Sequence, residues 1–322
     1  MKFKIFVDGQ EGTTGLKINE RLAGRKDLEI LTIEPGKRKD PEARRILLNE
    51  ADIAFLCLPD EASRESVSLV NNDRTKIIDA STAFRTDPNW TYGLPELNEK
   101  QREKIRKSHR VSVPGCHATG YNLIIYPLVN EGIMPKDYPV NCYTVAGYSG
   151  GGKKMISEYE TIDKKPALKI PRFYSLKLNH KHIPEMQKVS GLIFPPIFTP
   201  IVGDFYNGEV VSIPLFPRLL NKQITAKDTH KFLDSYYKSE RFVKVMPFDI
   251  ETNLDNGFLG ATECNNSNKL EIFVFGSDEH ILITSRFDNL GKGSSGAAIQ
   301  NMNIMLDVDE GLGLEEKLIP GI

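Results

Sequence analysis

Val7-Asp8-Gly9-Gln10-Glu11-Gly12-Thr13-Thr14-Gly15-Leu16 is the stretch that decides the fold. It follows a β-branched and aromatic run, Phe3 to Val7, and leads into Leu16 to Leu22, where apolar residues fall at helical spacing. Glycines at three-residue intervals (G-x-x-G-x-x-G) between a strand and a helix let backbone N–H groups close on a pyrophosphate. The positive end of the helix dipole stabilises the charge there. The pattern departs from G-x-G-x-x-G, so strand before and helix after carry the reading. Gly9, Gln10, Gly12, Thr13 and Gly15 are the expected contacts to a nucleotide cofactor.

Outward from this turn, strand-like runs recur at Leu28 to Ile33, Asp52 to Leu58, Lys76 to Ala80 and Arg110 to Val113. Segments of helical spacing or composition lie between them at Pro41 to Asn49, Glu61 to Val70 and Glu96 to Lys107. Strand and helix alternating every roughly 24 residues predict a Rossmann-type, doubly wound parallel sheet in an α/β protein. The rhythm then changes. Val140 to Ala146, Val189 to Phe194, Ile197 to Val202, Glu209 to Leu215 and Leu270 to Phe275 read as strands separated by loops and few helices. This predicts a second, α+β domain with a largely antiparallel sheet. After a last strand, Ile281 to Phe287, the small residues of Asp288 to Met302 suit a terminal helix that returns to the nucleotide domain. The expected division is 1–115 with 287–322 as the nucleotide-binding domain and 116–286 as the second domain.

At 322 residues, of which 40% are hydrophobic, the chain can bury its cores without disulfides or structural metal. Its 42 basic and 43 acidic residues nearly cancel, so no global field recruits nucleic acid or anionic lipid. An anionic substrate must be caught locally. Cys57, Cys116, Cys142 and Cys264 form no C-x-x-C pair and no zinc-like spacing with the six histidines, as in a reduced, cytoplasmic chain. The N-terminus enters a charged strand without an apolar signal core, and no run of about eighteen apolar residues occurs. Neither export nor a membrane is expected.

Four further stretches carry chemistry. In Val113-Pro114-Gly115-Cys116 a strand meets Pro-Gly and then a cysteine, before Thr119 to Val129, which reads as a buried helix. A cysteine near a helix N-terminus is favoured as thiolate, the form that attacks carbon, although a free cysteine is also a common buried hydrophobe. Strand two ends at Glu34, which suits the ribose hydroxyl of NAD, but Lys37-Arg38-Lys39 follow and suit the 2′-phosphate of NADP. Three cations favour NADP. Beyond strand four lie Ser81, Thr82 and Arg85, where open α/β sheets bind ligands, and Arg85 can grip an anion, cap a helix or pair with Asp87. Finally, His180 and His182 in Asn179-His180-Lys181-His182-Ile183-Pro184-Glu185 resemble a metal half-site, but no third ligand stands at a helpful spacing. No metal is expected; one histidine as acid/base beside a thiolate is the more economical reading, with a structural histidine as the alternative.

With these pieces assembled, the chain resembles the N-acetyl-γ-glutamyl-phosphate reductases, specifically their shorter form. The likeness rests on Asp8 to Leu16, Asp79 to Arg85, Pro114-Gly115-Cys116, Gly147 to Gly152, His180 to Glu185 and Asn289 to Asn301, and so spans nearly the whole chain. The family shares its architecture with aspartate-semialdehyde dehydrogenase. The resemblance implies Cys116 as nucleophile and His182 as acid/base. It also implies NADP over Gly9 to Gly15, Asn289 with Ser149-Gly150 near the nicotinamide, and Arg85, with Ser81 and His180, on the substrate. Where the family often has tyrosine then proline after the cysteine, His117 and Ala118 stand here, and Gly151 and Lys153 replace the usual alanine and arginine. The implied activity is reduction of an acyl phosphate through a cysteine thioester, by a homo-oligomer (dimer or tetramer). Its rivals are an aspartate-semialdehyde dehydrogenase and a non-catalytic NADP-sensing regulator.

Overall fold

The computed structural model describes residues 2–314. The chain divides into two compact units, one formed by residues up to Gly115 together with those from Ser294 onward, the other by Cys116–Gly293. The second crossing comes after Gly293 rather than after Arg286.

The first unit runs β1 (Phe3–Asp8), α1 (Thr13–Leu22), β2 (Leu28–Leu31), α2 (Pro41–Glu50), β3 (Ile53–Leu56), α3 (Asp60–Leu69), β4 (Lys76–Asp79), β5 (Thr91–Tyr92), α4 (Glu99–Lys107) and β6 (Arg110–Ser112). Its strands pair in parallel in the order β2-β1-β3-β4-β6-β5. All four residues of β3 are buried, as expected of a central strand covered by helices on both faces. Phe6, Leu48, Ala54, Leu56, Ile77 and Trp90 form the core beneath α2 and α3. Local chemistry starts α2: Pro41 opens the first turn and the Asp40 carboxylate accepts from the N–H groups of Glu42 and Ala43.

The second unit begins with α5 (Cys116–Asn130), then β7 (Asn141–Gly147), α6 (Gly152–Glu160), β8 (Arg172–Phe173), α7 (Ile183–Ser190), β9 (Ile197–Gly203), β10 (Glu209–Leu215), α8 (Ala226–Tyr237), β11 (Val243–Val245), α9 (Ile250–Asn253), β12 (Leu270–Gly276) and β13 (Ile281–Phe287). The sheet order is β11-β12-β13-β10-β7-β9-β8. It is mixed: β7 with β9 and β11 with β12 are parallel, the remaining pairs antiparallel. The chain then re-enters the first unit as α10 (Gly296–Met305), where the Asn301 side chain donates to the Gly93 carbonyl and Lys76 Nζ donates to the Met305 carbonyl.

One expected strand is absent. Val189 lies in the last turn of α7, Gly191 terminates that helix at φ 80°, and Ile193 and Phe194 lie exposed in a bend. Pro184 in the first turn and glycine just past the last are helix punctuation, and they outweigh the β-branched character of the segment. More helix is present than the sequence predicts here, with α6, α7 and α8 inserted between strands. No helix among the described residues is long and apolar enough to cross a membrane.

Candidate active site

The glycine turn is built for close approach. Gly9 has φ +85°, and a Cβ there would sit 2.4 Å from the Cys57 carbonyl oxygen; one on Gly15 would sit 2.5 Å from the Gly9 oxygen. Both glycines are therefore required by the packing of the turn itself. Gly12 differs, since its nearest neighbour would be 3.5 Å away. Its lack of a side chain suits a ligand rather than the protein. Gly12 caps α1 without a side-chain hydrogen bond, and the Thr13 hydroxyl is buried without a partner. An unfilled polar helix N-terminus beside a bare glycine fits a pyrophosphate. A cavity of about 500 Å³ continues from it, lined by Gly9, Gln10, Ile33, Leu58, Arg38 and Lys39 among others. Its place beyond the carboxyl ends of parallel strands, flanked by two cations, fits the adenosine end of a dinucleotide.

The charges sort themselves around that cavity. Lys37 pairs with Glu34 at 3.1 Å, both well exposed, whereas Arg38 and Lys39 line the cavity and Arg38 also meets Glu11 at 2.8 Å. Of the three expected cations, two line this cavity. The acid that would suit NAD is engaged elsewhere. Behind the turn, buried Asp8 accepts from Arg44 and from Ser66 at 2.8 Å, which holds the end of β1 against α2 and α3.

At the end of β4, Ser81 donates to the Asp79 carboxylate at 2.7 Å, and Thr82 and Asp60 are likewise bonded. Burial raises the Asp79 carboxyl above the usual range. The Arg85 guanidinium donates to the carbonyls of Val113 and Ala80, at 2.9 and 3.1 Å, and so braces the loop that delivers Pro114 and Gly115. Both residues thus have structural bonds beside any role toward substrate.

Cys116 opens α5, so the helix N-terminus expected around it is present. Burial pushes the thiols of Cys57 and Cys142 far up and that of Cys264 to about 12, which leaves them unsuited as nucleophiles. Around Cys116 the second unit gathers side chains from four places. Its Sγ, a ring nitrogen of His117 and a ring nitrogen of His182 lie within 4.8 Å of one another. His180 stands edge-on to His182 with ring centroids 4.7 Å apart, and its Nδ1 accepts from the His182 backbone N–H at 3.2 Å. Phe198 walls the cluster at 5.1 Å from both His117 and His180.

The spacing of His180 and His182 concealed this convergence, because the nearby donors come from residues 116 and 117. Yet both nitrogens of His117 are already held. Nδ1 bonds the Glu209 carboxylate, and Nε2 lies 2.9 Å from the Tyr174 hydroxyl. A thiol with a nearby imidazole, His182, is the arrangement of nucleophilic catalysis. Ser149 and Asn289 form one buried patch in which Asn289 Nδ2 donates to Ser149 Oγ at 3.0 Å and its Oδ1 accepts from the Gly208 N–H at 2.8 Å. A Cβ on Gly150 would lie 3.6 Å from Asn289 Nδ2. Tyr174 and Glu209 went unread in the sequence. Glu209 opens a run otherwise apolar at alternate positions, and an acid at that point of a buried strand was the available signal.

Residues 6–107 match the family described as semialdehyde dehydrogenase, NAD binding domain, and residues 116–289 the semialdehyde dehydrogenase, dimerisation domain. The chain is 48% identical to N-acetyl-gamma-glutamyl-phosphate reductase 2 of Nostoc sp., over 97% of this chain and 99% of that protein. It is 47% identical to the protein of the same name in Pseudomonas putida, with 94% and 96% covered. Among solved structures, aspartate semialdehyde dehydrogenase from Francisella tularensis superposes with a TM-score of 0.71 at 16% identity, covering 94% of this chain and all of that one. Aspartate semialdehyde dehydrogenase II from Vibrio cholerae gives 0.70 at 15%, with 95% and 99% covered. At that identity the structures speak for the fold alone.

Proposed function

The chain belongs to the N-acetyl-gamma-glutamyl-phosphate reductase family, and from that premise we propose how its residues divide the work. The enzyme reduces N-acetyl-L-glutamyl 5-phosphate to N-acetyl-L-glutamate 5-semialdehyde and phosphate, with NADPH as reductant, in arginine biosynthesis. The observation that carries the assignment of roles is Cys116 Sγ at the start of α5, within 4.8 Å of a His182 ring nitrogen.

The Cys116 thiolate attacks the acyl carbon, the carbon–oxygen bond to phosphate breaks, and a thioester remains. NADPH, when bound, supplies the hydride that this thioester accepts. A thioester suits the step because it stays electrophilic. Backbone N–H groups at the first turn of α5 face the oxyanion, with His182 beside them. His182 gives a proton to the oxygen that develops charge, then takes it back as the thiohemiacetal collapses and Cys116 departs. The bonds of His117 to Glu209 and Tyr174 support giving that task to His182 instead. His180, through its bond to the His182 backbone, holds the acid/base in place. Arg85 and Ser81 take the substrate's charged end. Gly9, Gln10, Gly12, Thr13 and Gly15 hold the pyrophosphate, Arg38 and Lys39 the 2′-phosphate, and Ser149, Gly150 and Asn289 the nicotinamide end. The unit up to Gly115 with its C-terminal return is the NADP-binding domain, and Cys116–Gly293 the catalytic and oligomerisation domain.

The assembly is a homo-oligomer, dimer or tetramer, formed through the open face of the second sheet. Tyr143, Ile197 and Leu282 are exposed on strands whose alternate residues are buried, which supports that face as the contact. Four free cysteines support a cytoplasmic location.

Cys116→Ser is expected to bind NADPH with wild-type affinity and to lose at least about a thousandfold in turnover. Turnover within a factor of a few of wild type would refute the covalent route. In an assay of phosphate-dependent NADP reduction, N-acetylglutamate semialdehyde should be oxidised far faster than aspartate semialdehyde; the reverse order would overturn the substrate assignment.

A further inference from the structure

The most deeply buried acid of the second unit has no part in the mechanism so far. Glu209 opens β10 with no exposed surface; its Oε1 meets His117 Nδ1, and its Oε2 is buried without a hydrogen-bond partner. A carboxylate removed from water this completely is tolerated only beside a compensating charge. The ionisable groups packed around the pair can be taken one by one. Cys142 on β7 faces Glu209, but burial and that same acid keep its thiol protonated. Tyr174, just past β8, is held protonated by burial and by the negative charges of Cys116 and Glu209. His180 and His182, ahead of α7, stand with ring centroids 5.4 Å from His117. His117, whose Nδ1 meets the carboxylate directly, is the group placed to carry the compensating charge.

We infer that Glu209 holds His117 as an imidazolium whose fixed positive charge keeps the neighbouring Cys116 as a thiolate, which makes Glu209 and His117 positioning residues for the nucleophile. The imidazolium has an N–H for each neighbour: Nδ1–H donates to Glu209, and Nε2–H to the Tyr174 oxygen at 2.9 Å. A buried carboxylate that orients a ring and sustains its positive charge is a device known from nucleophilic triads, although there the histidine also moves the proton. Here the ring's second nitrogen is spent on a phenol, so proton transfer falls to His182. The distance suffices for the effect. A ring nitrogen of His117 lies within 4.8 Å of Sγ, and an opposite charge within about 4–6 Å favours the ionised form by one to three powers of ten.

The inference rests on Cys116 being the nucleophile, and the test separates the two. Alkylation of Cys116 by iodoacetamide is followed by peptide mass spectrometry on the full chain between about pH 5 and 9. In the wild type the rate should persist at about pH 6, and N-acetylglutamyl phosphate should suppress it. A wild-type Cys116 that titrates as an ordinary thiol and is not protected by substrate would remove the nucleophile reading itself. In Glu209→Gln the rate at about pH 6 should fall roughly 3- to 30-fold and recover at about pH 9, after allowing for the greater intrinsic nucleophilicity of a less acidic thiol. Glu209→Asp should regain part of the loss. A Glu209→Gln profile equal to that of a wild type that is protected by substrate and still reactive at about pH 6 would overturn this proposal alone. Should Glu209→Gln not fold, nitrogen NMR of the wild-type His117 ring at about pH 8 decides. Two protonated ring nitrogens support the imidazolium, and one unprotonated nitrogen overturns it.

Discussion

The glycine turn of the first unit and the histidine cluster of the second are built on opposite plans. The turn is local: Gly9 to Gly15 and the start of α1 are contiguous, and the backbone does the work. The cluster is convergent: Cys116 and His117 from α5, Tyr174 after β8, His180 and His182 before α7, and Glu209 from β10 meet chiefly through side chains. A backbone site leaves little room for added atoms where its own chain closes on itself, but asks little of side-chain chemistry. A convergent site depends on side-chain chemistry and on every strand that delivers it. Substitutions should therefore fail in different ways at the two places, by geometry in one and by charge in the other.

The largest contrast should come from two glycines three residues apart. Gly9→Ala puts a methyl group 2.4 Å from the Cys57 carbonyl in a backbone region, φ +85°, that L-residues avoid. The expected cost is about 2–4 kcal/mol of stability together with loss of NADPH binding. Gly12→Ala has room, with its nearest neighbour at 3.5 Å. It should melt within a few degrees of wild type yet bind NADPH about tenfold or more weakly, because its methyl group meets the ligand. Thermal melts and NADPH fluorescence titrations measure both quantities. Equal losses of stability in the two variants would end the distinction between a glycine required by the protein and one required by the cofactor.

The same division explains what could be read from the sequence. Alternating strands and helices of the first unit, the glycine turn, and Cys116 at a helix start are local patterns, and the structure has them. Val189 to Phe194 misled because β-branched residues near a helix end look like a strand until Pro184 and Gly191 are weighed as punctuation. Glu209 and Tyr174 were invisible as partners of His117, since 92 and 57 residues separate them from it and no periodicity reports such a contact. Arg85 was legible as a cation at a strand end, but its bonds to Val113 and Ala80 depend on how β4 and β6 lie side by side.

An intermediate effect should separate the cations after β2. Arg38→Ala combined with Lys39→Ala removes two of the cations that line the cavity beside the glycine turn, whereas Lys37→Ala removes a surface partner of Glu34. A hydrogen bond to a charged group contributes about 1.5–3 kcal/mol when buried; with Arg38 half-exposed and already paired with Glu11, the two cations together should contribute about that much, so the double variant should lower the preference for NADPH over NADH by roughly 10- to 100-fold, as the ratio of kcat/KM. Lys37→Ala should change it less than about twofold. A double variant with its preference intact would show that the 2′-phosphate is read elsewhere.

The smallest expected effect probes how finely the convergent site is set. His180 Nδ1 accepts from the His182 backbone N–H at 3.2 Å, an ordinary neutral bond between residues two apart. Its net contribution is about 1 kcal/mol, and its loss would let His182 turn relative to Cys116 rather than unfold α7, whose own N–H of Met186 already bonds the His182 carbonyl. His180→Ala should therefore lower kcat about fivefold with an unchanged melting temperature, and His180→Asn, whose side-chain oxygen can accept the same N–H as in an Asx turn, should recover most of it. A direct role for His180 on substrate would appear instead in KM, and asparagine would not restore it. The split between kcat and KM in these two variants thus tells a histidine that holds another residue from one that holds the substrate.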